Sequence, residues 1–137
     1  TRFNISLEEG VNLVLHAFRH AMGGEIFVPK IPSYRITDVA KAIGPECKQE
    51  IVGIRPGEKI HEEMITESDS LTTVDLGKYY AILPQNYGLL RDEYMTKRNA
   101  KIVPEGFKYN SGRNHDWLTV EQLRMLVKKH VDPDFQP

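Results

Sequence analysis

The sequence predicts an α/β fold, and three observations carry that prediction. Helical and strand-like patterns alternate over about the first fifty residues. Capping boxes open amphipathic runs at Ser6 and Thr119. Two stretches rich in β-formers flank Leu76-Gly77 as a candidate hairpin. With 137 residues and 40% hydrophobic content, the chain is sized for a single domain with one core and no disulfides.

Ser6-Leu7-Glu8-Glu9 places a hydroxyl and a carboxylate where each satisfies an orphan amide, so a helix should run from Leu7 to about Met22. Its apolar positions Val11, Val14, Leu15, Phe18 and Met22 recur at three and four, and Gly23-Gly24 offers a left-handed stop. Glu25 to Pro29 reads as a short strand, and Lys30 to Tyr34 as a loop held extended by two prolines. Thr37 is expected to cap a helix from Asp38 to Ile43, closed by Gly44-Pro45.

A strand over Glu50 to Ile54 then delivers the polar turn Arg55-Pro56-Gly57-Glu58. In open α/β sheets ligands gather beyond the carboxyl ends of strands, where Lys30 and Arg55 both fall. A helical turn is expected at Glu58 to Met64 and a loop at Thr66 to Ser70. Leu71 to Asp75 and Lys78 to Leu83 form the hairpin, and Pro84 to Gly106 an irregular excursion that offers a partner surface. Phe107 to Gly112 reads as a short strand and turn, and the box Thr119-Val120-Glu121-Gln122 opens a helix to about Val131.

Eighteen basic and nineteen acidic side chains leave a net charge of −1, which argues against nucleic acid or an anionic membrane as partner. The apolar clusters stop well short of the about 18 residues that a membrane span needs. Cys47 has no partner for a disulfide, and no zinc spacing is present; a reduced, cytoplasmic setting is expected. Thr1 lacks an initiator methionine, and Thr-Arg-Phe-Asn resembles neither a signal peptide nor a linker, so the chain is expected to begin inside a longer protein.

The turn Arg55 to Glu58 carries the chemistry of a ligand grip. A guanidinium forks onto two phosphate oxygens, Pro56-Gly57 supplies one fixed and one permissive backbone position, and a carboxylate accepts hydrogen bonds from a diol. An exposed turn closed by an ion pair is the competing reading. His16 and His20 lie one helical turn apart without a third metal ligand, and His61-Glu62-Glu63-Met64-Ile65 has isoleucine where a zinc-protease helix needs histidine. Glu58, Glu62 and Glu63 read as a solvated acidic face rather than an acid–base pair. Tyr94-Met95-Thr96-Lys97 has two intervening residues where a dehydrogenase pair needs three, and Trp117 with Phe107 and Tyr109 reads as core rather than a stacking platform. No nucleophile elbow, phosphate loop or dinucleotide fingerprint occurs, so no catalytic, cofactor-binding or metal residue is assigned.

Four blocks taken in order, Thr1 to Val11, Gly24 to Ser33, Gly53 to Glu62 and Tyr109-Asn110-Ser111 with Trp117-Leu118, resemble the carboxyl-terminal part of the inverting UDP-N-acetylglucosamine 4,6-dehydratases. These belong to the extended short-chain dehydrogenase/reductases. The resemblance implies a small mixed α/β substrate-binding subdomain lacking the Rossmann half, silent by itself, from a lyase that opens pseudaminic acid synthesis. It implies NADP, bound by that missing Rossmann half, a UDP-sugar substrate, and a homo-oligomeric complete enzyme. Carried over by motif, Arg2 and Arg55 would meet the diphosphate and Glu58 the uridine ribose, with Lys30 a further candidate. A UDP-sugar 4-epimerase and a non-enzymatic interaction domain are the alternatives. If the Rossmann half normally covers the Leu7 to Met22 helix, this chain should expose its apolar face.

Overall fold

The computed structural model describes residues 1–84 and 88–137. In chain order the elements are β1 (Arg2–Phe3), α1 (Leu7–His20), β2 (Ile26–Pro29), β3 (Ser33–Tyr34), α2 (Ile36–Ile43) and β4 (Glu63–Ile65). A 3-10 helix (Ser68–Thr72), β5 (Thr73–Asp75), β6 (Tyr79–Ile82), α3 (Gly88–Lys97), β7 (Lys101–Ile102), β8 (Tyr109–Asn110) and α4 (Val120–His130) follow. The mixed α/β class is as expected, and the chain divides into two compact units.

One unit comprises Ile5–Ile31 and Glu63–Asn110. Its antiparallel sheet has the order β2-β6-β5-β7, with Val28 opposite Tyr80 and Val74 opposite Ala81. Tyr79 and Ala81 of β6, and Leu83 just after it, alternate inward, the period of two that a half-buried strand requires. Ala81 and Leu83 form a core with Val74, Tyr94 and Ala100, against which Met22, Phe27, Leu76 and Met95 pack. The expected turn at Leu76-Gly77 is present. Gly77 has φ +85°, a left-handed value open to glycine, and its amide donates to Asp75 Oδ1 at 2.7 Å. β4 pairs with β8, burying Ile65 completely.

Helix α1 carries the expected capping box, with Ser6 Oγ accepting from the Glu9 amide at 3.2 Å and Glu9 Oε2 from the Ser6 amide at 2.8 Å. No α1 residue is fully buried, and Leu7, Val11, Val14, Leu15 and Phe18 are all exposed. Its end is fixed by Glu25, whose carboxylate accepts from the Met22 and Gly23 amides and from the Tyr94 hydroxyl at 2.7 Å. Burial pushes the Glu25 carboxyl up, yet those hydrogen bonds together outweigh it and hold the group below its ordinary value.

The other unit comprises Thr1–Asn4, Pro32–Glu62 and Ser111–Pro137. β1 and β3 pair antiparallel, and buried Ser33 bridges to Trp117. Helix α4 begins on the Thr119 capping box, and its Leu123 is buried, as is Ala42 of α2. Arg124 of α4 donates to the carbonyls of Ala42 and Lys41 at 3.3 and 3.4 Å, satisfying acceptors that the end of α2 leaves open.

Several expectations are corrected. No strand forms over Glu50 to Ile54: Ile51, Val52 and Ile54 are exposed, and Gly53 turns left-handed at φ +84°. Their β-branched side chains signalled strand, but that preference reflects fit to a half-buried pleat, and here no neighbouring strand supplies one. The helical turn expected at Glu58 to Met64 is instead irregular chain leading into β4, because burying Ile65 against β8 favours the extended form. Helix α2 starts at Ile36 with Arg35 as cap residue and no side-chain cap, so Thr37 lies inside it. Thr66 to Ser70 leads into a 3-10 helix, where Asp69 accepts from the Thr66 amide at 2.9 Å. Of the excursion expected over Pro84 to Gly106, Gln85, Asn86 and Tyr87 lie outside the described residues, and the remainder contains α3 and β7. Among the described residues no helix is long and apolar enough to cross a membrane.

Replacing Tyr94 by Phe removes one of the hydrogen bonds that depress Glu25. The depressed carboxyl contributes stability above its unfolded pKa and loses it as pH falls through the folded value. Tyr94→Phe should therefore cost about 1–3 kcal/mol near neutral pH and less in acid, measured by urea unfolding across pH.

Candidate functional site

The segment from Pro45 to Glu62 is exposed throughout, and the Arg55 turn lies in its middle. Pro56-Gly57 forms the expected tight turn, with Gly57 at φ +86° and the Glu58 amide donating to the Arg55 carbonyl at 3.0 Å. Proline then glycine with positive φ is the signature of a type II turn. Glu58 folds back over it: Oε2 accepts from the Arg55 amide at 3.0 Å, and Oε1 lies 3.6 Å from Arg55 Nε. The Arg55 side chain is 84% exposed, so this ion pair is weak and available for exchange.

Arg2 is engaged more firmly. Its Nη1 donates to the carbonyls of Thr1, Lys59 and Ile60 at 2.7, 3.2 and 3.4 Å, and Nε lies 3.5 Å from Glu62 Oε1. The second Glu62 oxygen accepts from the Phe3 amide at 3.0 Å. Arg2 therefore ties the chain that leaves the Arg55 turn onto β1.

Ser111 holds the same segment from another side, and this anchor carried no signal in the sequence beyond the Tyr109-Asn110-Ser111 block. Its buried hydroxyl accepts from the Glu62 amide at 2.9 Å and lies 2.7 Å from Thr1 Oγ1, which is 2.8 Å from His61 Nδ1. The Ser111 amide donates to the Glu62 carbonyl at 2.8 Å. A Cβ on Gly112 would fall 2.5 Å from His61 Nδ1, so glycine is what lets that imidazole approach.

Lys30 belongs to the other unit, where Asp75 pairs with its ammonium at 2.6 Å and the Tyr80 ring lies 4.4 Å away. Burial first, then the charge of Asp75 and the Tyr109 hydroxyl, push the Tyr80 phenol up to about 12. The structure thus places Arg2, Arg55 and Glu58 in one unit and Lys30, already partnered, in the other.

The remaining constellations are accounted for by local contacts. Tyr94 is fully buried with its hydroxyl on Glu25, and Lys97 pairs with Glu93, so they form no catalytic pair. Trp117 lies under the Arg35 guanidinium at 4.3 Å, whereas Phe107 and Tyr109 stack near Tyr80. Glu62 pairs with Arg2 and Glu63 begins β4, so the acidic triplet forms no helical face. No group of three metal-ligating side chains occurs among the described residues. Arg2→Ala should raise hydrogen exchange at the Phe3 and Glu62 amides about five- to tenfold, read by mass spectrometry, while the Arg55 turn keeps its local hydrogen bonds.

Comparison with known proteins follows the same segments. The UDP-N-acetylglucosamine 4,6-dehydratase (inverting) of Campylobacter jejuni strain 81-176 is 45% identical over 132 residues, covering 93% of this chain and 39% of that protein. The UDP-glucose 4-epimerase of Rickettsia canadensis is 39% identical over 133 residues, covering 93% of this chain and 38% of that protein. The X-ray structure of Pen from Bacillus thuringiensis superposes with a TM-score of 0.69 at 29% identity, over 93% of this chain and 38% of Pen. The similarity to inverting dehydratases expected from the sequence blocks is borne out, and the chain spans 39% of the length of those relatives. The family described as polysaccharide biosynthesis protein matches residues 1–84, more than half of the chain, and the protein belongs to it.

Proposed function

We propose that this chain is the UDP-sugar-binding, carboxyl-terminal portion of an inverting UDP-N-acetylglucosamine 4,6-dehydratase of the extended short-chain dehydrogenase/reductase superfamily. The observation that carries this reading is the 43% and 45% identity to two Campylobacter jejuni enzymes of that name, each over 93% of the chain. The complete enzyme would act in nucleotide-sugar biosynthesis, at the entry to pseudaminic acid.

On this reading Arg55 and Glu58 hold the nucleotide handle. The exposed Arg55–Glu58 pair contributes about 0.2–1 kcal/mol, so a diphosphate that accepts a forked, charge-assisted pair of hydrogen bonds displaces it readily. Glu58 is then released to accept from the ribose hydroxyls, while Pro56-Gly57 keeps the two residues at a fixed spacing. Arg2 supports the chain after the turn, and its five N–H donors leave capacity for a phosphate oxygen. Lys30 is left out, since Asp75 and Tyr80 already occupy its ammonium.

The proposed reaction uses NADP as a transient hydride carrier. Among the described residues its cradle is not formed: α1, α2 and α4 start on Ser6, Arg35 and Thr119, and none of these three starts is a glycine-rich crossing from a strand into a helix N-terminus. The cofactor is therefore assigned to a Rossmann portion of the complete enzyme, and the chain itself is proposed to be catalytically silent.

A second reading, substrate domain of a UDP-sugar 4-epimerase, draws on the 39% identity to the Rickettsia canadensis enzyme. Products separate the two, since a dehydratase yields a 4-keto-6-deoxy sugar and an epimerase an isomer of unchanged mass. In the complete enzyme, Arg55→Ala should weaken UDP binding by about 1.5–3 kcal/mol, roughly 10- to 150-fold, and Arg55→Lys should restore only part of it. Unchanged UDP affinity in calorimetry would overturn the assignment.

A further inference from the structure

The unit comprising Ile5–Ile31 and Glu63–Asn110 holds a cavity of about 450 Å³ lined by His16, Leu76, Lys78, Tyr79, Lys97 and Arg98. Three of these side chains are permanent cations, and no carboxylate is among the described lining residues. In a chain of net charge −1, such a convergence is a local feature that overall composition does not produce.

Part of it has a structural explanation. Arg98 Nη2 donates to the His20 carbonyl at 3.1 Å, closing an acceptor at the end of α1. Its Nη1 lies 3.0 Å from His20 Nδ1. A guanidinium only donates, so in this contact the imidazole nitrogen is the acceptor. Lys97 sits in the last turn of α3, where a cation meets the negative end of the helix dipole, and pairs with Glu93.

Neither explanation reaches Lys78 or His16. Lys78 stands just before β6, its ammonium 5.6 Å from the Tyr79 ring centroid and without a carboxylate partner among the described residues. His16 lies among the rings of His20, Tyr79 and Phe27, at centroid distances of 4.4, 4.3 and 5.3 Å. Burial first, then His20, Arg98 and Lys78, hold its pKa below the ordinary value. Cations gathered around a cavity repel one another, and an anion inside it adds an attraction to each of them that offsets this repulsion.

We propose that this cavity is an anion site for a phosphate- or diphosphate-bearing small molecule, with Lys78, Lys97 and Arg98 supplying charge and His16 an imidazole N–H. It shares no residue with Arg2, Arg55 and Glu58. The site thus lies beyond the UDP-sugar reading and stands or falls without it.

Inorganic pyrophosphate is the probe, titrated into the 137-residue chain while the His16 and His20 ring resonances are followed by NMR across pH. The groups facing His16 are His20 on α1, Tyr79 on β6, Lys78 before that strand and Arg98 after α3; Phe27 of β2 is neutral. Saturable shifts are expected, with the His16 pKa moving upward when pyrophosphate is bound. Lys78 and Lys97 have exposed side chains, so the double variant Lys78→Met/Lys97→Met should fold normally and bind pyrophosphate at least about tenfold more weakly. Arg55→Ala should leave the response of His16 intact. The proposal is overturned if neither imidazole responds, if the double variant responds like the parent chain, or if Arg55→Ala abolishes the response.

Discussion

The unit built on the four-stranded sheet depends on β6, which pairs on both edges, with β2 and with β5, and, with Leu83 just after it, sends Tyr79 and Ala81 into the interior. Shifting such a strand by one residue would expose that set and turn Tyr80 and Ile82 inward in its place, so the burial pattern fixes the register. The register in turn settles where the polar groups fall. Asp75, opposite Tyr80, reaches the Lys30 ammonium and the Gly77 amide, and Tyr79 stacks on His16. The ion pair of Lys30 and the cation-lined cavity therefore follow from one strand's alignment.

The Arg55 segment is organised on a different principle. It has no strand partner and no core side chain, and is positioned at one end by polar ties: the Arg2 guanidinium, the Glu62 carboxylate and the Ser111 hydroxyl. Such ties are directional, so they set where the segment lies without requiring it to bury anything. That suits a ligand grip, whose side chains must remain in water until the ligand arrives.

What was legible in the sequence follows from how local each interaction is. Both capping boxes, the Gly77 hairpin and the Pro56-Gly57 turn involve residues within four positions, and residue type alone specifies them. The strand expected over Glu50 to Ile54 failed because a strand needs a partner, and β-branched residues cannot report whether one is present. The role of Arg2 was equally hidden, since its contacts lie 57 and 58 residues away. The place of Lys30 after β2 marks it as a ligand candidate, and its pairing with Asp75, 45 residues on, is not legible locally. The exposed apolar face of α1 was anticipated from periodicity combined with the family resemblance, because periodicity alone predicts a face without saying what covers it.

The solvent-washed stretch from Pro45 to Glu62 also bears on how such a protein can change over evolutionary time. Most substitutions harm a protein by eroding a thin margin of folding stability, and large losses come from cores, caps and buried networks. Arg55 and Glu58 belong to none of these. A lineage can exchange them without approaching the threshold at which the fold is lost, whereas Ser111, buried and bonded to Glu62, has no such latitude.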